Sequence, residues 1–217
     1  IPDAEVGTLL SWDLISDKNS TIYETDFENN GLVPLYSGVF PLFQILTIEP
    51  FSSLDDLQGM RFRSAGGTQD LIAEAINTIP VQLDRSEVYQ SLQRNTIDGG
   101  LFTLNTVISN KTHEVTNHFA TNANLTAFLG AVEISENTWN NLPTEAQEIL
   151  AEAGETAVKS LAEGMAKDEE SSIVELEEVG LTSYSLDDNE LQRLEELLAP
   201  VWDAWVEDFE GLGFDPQ

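Results

Sequence analysis

From Leu35 to Pro50 the chain is almost uncharged, and Leu35, Tyr36, Val39, Phe40, Leu42, Phe43, Ile45, Leu46 and Ile48 follow one another closely. Such a run fits a buried, extended segment that passes from one hydrophobic core into another. Leu32 to Tyr36 reads as the strand that opens it. Ahead of that strand, Ile22, Tyr23 and Phe27 in polar surroundings predict a short amphipathic helix stopped at Asn29-Asn30-Gly31. Residues 1–30 otherwise carry weak signals.

The next stretch decides the fold class. Ser52 to Leu57 predict a short helical turn ended by Gly59, Met60 to Arg63 a strand, Gly66-Gly67 a turn and Thr68 to Ala75 a helix. Pro80 to Leu83 reads as a second strand, Ser86 as the cap of a helix running to about Arg94, and Ile97 to Phe102 as a third strand. Strands and helices alternating this densely mean an α/β layer, with a parallel sheet joined by right-handed crossovers.

Extended patterns return over residues 113–134. After Trp139, Thr144 and Gln147 stand at capping-box spacing beside Pro143. Apolar residues then recur at a helical period to Val179, with a polar gap at Glu169. One helix over this span would be ~54 Å long, whereas a small domain is only about 30 Å across. A helix lying across two domains explains the length, and a coiled coil is disfavoured because the strict heptad is missing. Leu181 to Ser185 reads as a strand. Leu191, Leu194, Leu198, Trp202, Trp205 and Phe209 line one face of a terminal helical segment interrupted at Pro200, with both Trp expected in the core.

Composition narrows the possible partners. The 217 residues carry 39 Asp plus Glu against 9 Lys plus Arg, a formal net charge of -30. Affinity for phosphates comes from clustered Lys and Arg, so nucleic acid and anionic membrane surfaces are disfavoured as partners. Disorder is disfavoured too, because 41% of the residues are hydrophobic and they lie in patterned runs. The acidity reads as adaptation to salt: self-repulsion on this scale destabilises a compact state, and about 1 M salt shortens the Debye length to about 3 Å. Without cysteine there are no disulfides, thiolate metal sites or cysteine nucleophiles. No apolar run is long enough to cross a membrane. A chain opening at Ile1-Pro2-Asp3 reads as a mature or trimmed product.

Enzyme signatures are nearly absent. His113 and His118 lack metalloprotease spacing, no G-x-S-x-G elbow occurs, and Gly66-Gly67 lacks the Lys-Ser/Thr end of a P-loop. No calcium-loop pattern appears, and Asp55-Asp56 and Asp187-Asp188 read as charges at helix N-termini. No catalytic residue, metal or cofactor is expected. Arg61 and Arg63 stand out, two of only five arginines on one short strand, sharing one face by alternation. Arg63 falls at the carboxyl end of its strand, just before a helix N-terminus, where open α/β sheets place ligands. Its planar donor fork matches a carboxylate. Spacing alone leaves a ligand and an internal salt bridge equally open.

Four phrases occur in order: Ser53-Leu54-Asp55-Asp56-Leu57-Gln58-Gly59-Met60-Arg61-Phe62-Arg63, Ser86-Glu87-Val88-Tyr89 continuing to Asp98-Gly99-Gly100, Lys111-Thr112-His113-Glu114-Val115, and Trp139-Asn140-Asn141-Leu142-Pro143. This series resembles the extracytoplasmic solute-binding proteins of tripartite ATP-independent periplasmic (TRAP) transporters, over roughly residues 32–180. The resemblance implies a two-domain α/β clamshell with one long helix spanning both domains. The expected domains are residues 1–40 with 127–167, and residues 41–126 with 168–217. Against the length of family members, the resemblance leads one to expect a portion ahead of residue 1 that is missing or shortened in these 217 residues.

The resemblance also implies a function: capture of a small organic acid outside the cytoplasm and its delivery to the TRAP membrane permease, by a monomer whose signal peptide has been removed. Arg63 matches the family's carboxylate-gripping arginine. Arg85, just before Ser86-Glu87-Val88-Tyr89, and Phe102, just after Asp98-Gly99-Gly100, fall where cleft residues often lie, and Arg85 is a candidate for a second anionic group. Phe43 lies near a position where some members place another arginine, which puts ligands such as sialic acids in doubt. His113 replaces the usual Tyr of its phrase. The alternatives are an extracellular hydrolase or lyase acting on a carboxylate, and a sensory or adaptor domain with the same fold.

Overall fold

A computed structural model describes residues 4–211, without the side chains of Ala166 and of residues 207–211. In chain order the elements are α1 (Ala4–Ser16), β1 (Leu32–Val39), β2 (Phe43–Thr47), β3 (Arg61–Ser64), α2 (Thr68–Ala75), β4 (Ile79–Gln82), α3 (Val88–Gln93), β5 (Gly99–Thr103), β6 (His118–Ala120), β7 (Leu129–Ser135), α4 (Glu136–Asn140), α5 (Thr144–Glu178), β8 (Thr182–Tyr184) and α6 (Asp188–Gly211). The chain divides into two compact units, Ile1–Leu42 with Thr126–Ser171 and Phe43–Leu125 with Ser172–Gln217. The long helix α5 gives its first part to one unit and its last turns to the other.

The first unit is built on an antiparallel pair, β1 with β7, running from Leu32 opposite Ser135 to Val39 opposite Leu129. The register shifts between Pro34 and Tyr36. There the Leu35 carbonyl lies against Gly154 of α5, so closely that a Cβ at Gly154 would strike it. Leu161, two turns further along α5, lies over Gly38, and Val158 and Ala162 of the same helix are buried.

Helix α1 covers β1 with small residues. Thr8 Oγ1 accepts the Val39 N–H at 2.9 Å, and the Ser11 and Ser37 hydroxyls are 3.1 Å apart. Its leucines at 9, 10 and 14 are exposed. This inversion of the usual amphipathic pattern explains the weak signal of residues 1–30. The turn at Tyr23–Asn30 buries Tyr23 and Phe27 and closes at Gly31 in the left-handed region, as the Asn-Asn-Gly stop implied.

The second unit carries a six-stranded sheet in the order β4-β3-β5-β2-β6-β8. Strands β3, β4 and β5 are parallel, joined by crossovers through α2 and α3, while β2 runs antiparallel between β5 and β6. Alternation sends successive residues to opposite faces. Ile45, Phe62 and Leu101 join one core, with Ile72 and Ile76 of α2 and Leu194 of α6. Leu46, Phe102 and Phe119 join the other, with Val88 and Leu92 of α3 and Leu176 near the end of α5.

Three local expectations need correction. The cap before α3 is Asp84 rather than Ser86: Asp84 and Glu87 form a reciprocal capping box one turn earlier. Gln147 donates its side-chain amide to the Trp139 carbonyl at 2.7 Å, anchoring the α4–α5 connection. Helix α6 runs on through Pro200, and Trp202 is 66% exposed, stacked on Trp205 at 5.1 Å rather than buried in the core. Phe209 lies outside the described side chains.

Ala normally favours a helix interior over Gly by about 0.5–1 kcal/mol, and the two glycines of α5 should divide on this point. Gly164 has nothing within 4 Å of its notional Cβ, so Gly164→Ala should raise the melting temperature. Gly154→Ala should lower it, since overpacking costs about 1–3 kcal/mol. The described ion pairs involve only Arg61 and Arg193 and leave most carboxylates uncompensated. Melting temperature should therefore rise as sodium chloride is raised toward about 1 M, and a flat salt titration would contradict this.

Candidate functional site

The two arginines of β3 share a face but not an environment. Arg61 is tied to Asp98 at the mouth of β5: Nε donates to Oδ2 at 2.9 Å and Nη2 to Oδ1 at 2.6 Å, and the Arg61 backbone N–H donates to Oδ2 at 2.8 Å. The parallel ladder creates this pair, because Asp98 immediately precedes the register of Phe62 opposite Gly99. The hydrogen bonds from Arg61 hold the Asp98 carboxyl below its ordinary pKa of 3.8.

Arg63, two residues on, has no carboxylate within ion-pair distance among the described residues. Its Nε donates to the Leu83 carbonyl at 3.3 Å, which leaves the outer nitrogens of the fork without a described protein partner. Arg63 is half-buried. Its pKa is lowered by burial first and by the nearby Arg85 charge second, against a smaller opposing effect of Asp84. A guanidinium stays charged through such a shift, so the site holds a partly desolvated cation.

The neighbouring carboxylates are engaged elsewhere. Asp70, in the first turn of α2, accepts from the Ser64 hydroxyl and from Gln82 Nε2 at 2.5 Å. Asp84 and Glu87 cap each other's backbone ahead of α3. Between β3 and α2 the turn uses Gly66 at φ +89° and Gly67 at φ +59°, which side-chain-bearing residues rarely adopt.

Gly100 makes room for the arginine. A Cβ there would sit 3.0 Å from Arg63 Cβ and 2.9 Å from the Phe102 ring, so glycine lets β5 lie close under both. Phe102 is thus brought beside Arg63, though it is mostly buried, with 8% exposed. Arg85 is exposed and donates from Nη2 to Asn110 Oδ1 at 3.1 Å. Phe43 pairs with Thr103 and packs into the core on the opposite face of the sheet from Arg63, so it is not brought together with the other three. His118, opposite Thr47, lies on β6, three strands away from β3 in the sheet.

Sequence reading missed Asn110, the Asp70–Gln82 bridge and Asn105, whose buried Oδ1 just past β5 has no partner among the described residues. Asn110 could have been suspected only as a polar residue in the segment following a strand that bears a site.

The fold places the chain in a class first. A TRAP solute-binding protein from a marine metagenome, described as specific for aromatic acid ligands and solved with metahydroxyphenylacetate, superposes with a TM-score of 0.87 at 19% identity, covering 99% of this chain and 67% of that one. One from Rhodoferax ferrireducens, in complex with copurified benzoate, gives 0.85 at 21% identity over 99% and 67%. The chain belongs to the bacterial extracellular solute-binding protein family 7, whose model matches residues 16–208. It is 30% identical over 170 residues to the C4-dicarboxylate-binding periplasmic protein DctP of Rhodobacter capsulatus, covering 76% of this chain and 50% of that protein. The chain spans about half the length of the curated relatives it matches.

The Asp98 carboxyl has a depressed pKa in the folded state, so its contribution to stability is present above 3.8 and lost as pH falls through the folded value. Asp98→Asn should flatten the acid limb of the melting temperature against pH below that point, with little change in slope near neutrality. An unchanged acid limb would show that the Arg61–Asp98 pair does not contribute.

Proposed function

We propose that this protein is the extracytoplasmic receptor of a TRAP transporter, capturing a small organic acid and handing it to the membrane permease. The observation that carries this reading is Arg63: a half-buried cation at the carboxyl end of a parallel strand, without a carboxylate partner among the described residues. A cation kept partly out of water without an internal counter-ion suits a bound anion, and the guanidinium fork suits a carboxylate. Proteins of the same fold hold benzoate, mandelate and galacturonate. Arg63 grips the carboxylate, and Phe102 beside it offers an apolar surface to the rest of the molecule.

Phe43 supplies no second cation, which argues against ligands such as sialic acids. The acidic surface suits a saline exterior, where its repulsion is screened. The family is one of transport proteins rather than enzymes, and the acid should be released unchanged.

A thermal-shift panel of aliphatic, hydroxy and aromatic acids tests the reading. At least one should raise the melting temperature in an Arg63-dependent way. Arg63→Gln should weaken its binding by about 2–5 kcal/mol, since the ligand's carboxylate would be left desolvated and unpaired. Undiminished binding by that variant, or no stabilising acid at all, would overturn the proposal.

A further inference from the structure

The first unit holds a cavity of about 440 Å³ whose lining residues all belong to that unit, whereas Arg63 belongs to the second. The volume falls within the range of small-molecule sites. Its walls are drawn from the end of α1, the Tyr23–Asn30 turn, the start of β1, α4 and the early turns of α5. Close packing of α5 on β1 at Gly154 brings Ala151 and Glu155 into the same lining as Leu32 to Leu35.

Three aromatic side chains, Trp12, Tyr23 and Trp139, face this space, and each is held by its surroundings. Trp12 packs against the buried cluster of Ile15, Tyr23 and Phe27. The Tyr23 N–H donates to Ser20 Oγ at 3.0 Å, which fixes the turn that carries the ring. Trp139 sits on α4, where Ser135 Oγ accepts the Thr138 N–H at 3.2 Å and the Trp139 carbonyl accepts from Gln147. Both indoles are only partly buried, and neither N–H has a hydrogen-bond partner among the described residues. The rings thus form a supported wall that is open on one side.

Charge selects what that wall receives. Glu28, Glu136 and Glu155 line the same space, against the single cation Lys18, and none of the four takes part in an ion pair among the described residues. An anion entering here meets more like charge than opposite charge. An inorganic cation would satisfy the carboxylates and leave the apolar walls unused. An ammonium carrying methyl groups meets both requirements, because its positive charge is attracted to ring faces and its methyl surface fits apolar walls.

We infer that this cavity is a binding site for an organic cation with a methylated ammonium head, received by Trp12, Tyr23 and Trp139 and balanced by the glutamates around them. The site is independent of carboxylate capture at Arg63 and opposite to it in selectivity.

The test uses choline and its neutral carbon isostere, 3,3-dimethylbutan-1-ol, at constant ionic strength. Of the four tryptophans, Trp202 and Trp205 lie outside the cavity, so in a Trp202→Phe, Trp205→Phe background only Trp12 and Trp139 report. Choline should change their fluorescence saturably, and calorimetry on the unaltered chain should find it bound at least about fivefold more tightly than the isostere. Trp139→Leu and Trp12→Leu should each weaken choline by roughly fivefold or more. Glu155→Gln, an exposed position that folding should tolerate, should weaken choline by about two- to fivefold and leave the isostere unchanged. Glu163→Gln makes the same change in net charge on α5 outside the cavity and should leave choline binding intact.

Equal binding of choline and the isostere, or a fluorescence change that never saturates, would overturn the inference. Choline binding that survives both tryptophan substitutions would overturn it as well. Loss in Glu163→Gln equal to that in Glu155→Gln would reduce the effect to the bulk charge of the chain, with the same consequence. Arg63→Gln should leave choline binding unchanged, so failure of this site and failure of carboxylate capture would be read separately.

Discussion

A cation can remain available for a ligand only if the protein keeps its own anions from neutralising it, and in a chain of net charge -30 that constraint is severe. It is met around Arg63 by local hydrogen bonding. Asp84 and Glu87 are held to backbone N–H groups by their capping box, and Asp70 is held by Ser64 and Gln82. A carboxylate that swung to Arg63 would abandon these bonds and leave orphan donors at a helix start or strand end. The acids nearest the site thus position the backbone around the cation.

The sheet supplies the rest of the arrangement. Parallel pairing of β3 between β4 and β5 brings Asp98 to Arg61 and Gly100 under Arg63, so one arginine is paired and the next is left open on the same face. Substituting a larger residue at Gly100 would press on Arg63 and on the Phe102 ring together. Burial of Phe62 between the two arginines fixes the strand's rotation, because a slip of one residue would send both charges into the core of Ile45 and Leu101.

Much of this was legible in the sequence because it depends on local pattern. The alternation Met60-Arg61-Phe62-Arg63, the span of helix α2 and the helical period through α5 follow from spacing alone. The ordered family phrases likewise single out Arg63 as a candidate. What stayed hidden depends on distant partners: whether Arg61 or Arg63 takes the internal salt bridge is settled by Asp98, 35 or more positions along the chain. Helix α1 was missed because its buried face is Thr8 and Ser11 rather than leucine, and Trp202 was misjudged because helical spacing identifies a face without showing that anything covers it.

The same charge density that repels an approaching anion is compatible with binding once ranges are compared. Repulsion between the acidic surface and an approaching carboxylate acts over many ångströms and fades when the Debye length falls to about 3 Å in roughly molar salt. A charge-assisted hydrogen bond acts at about 2.7–2.9 Å, inside that length, and between partly desolvated groups salt screens it least. Salt therefore removes the long-range penalty while sparing most of the short-range attraction. Binding at Arg63 should weaken less between low and high salt than ordinary surface ion pairing does, because the unfavourable surface field declines together with the favourable contact.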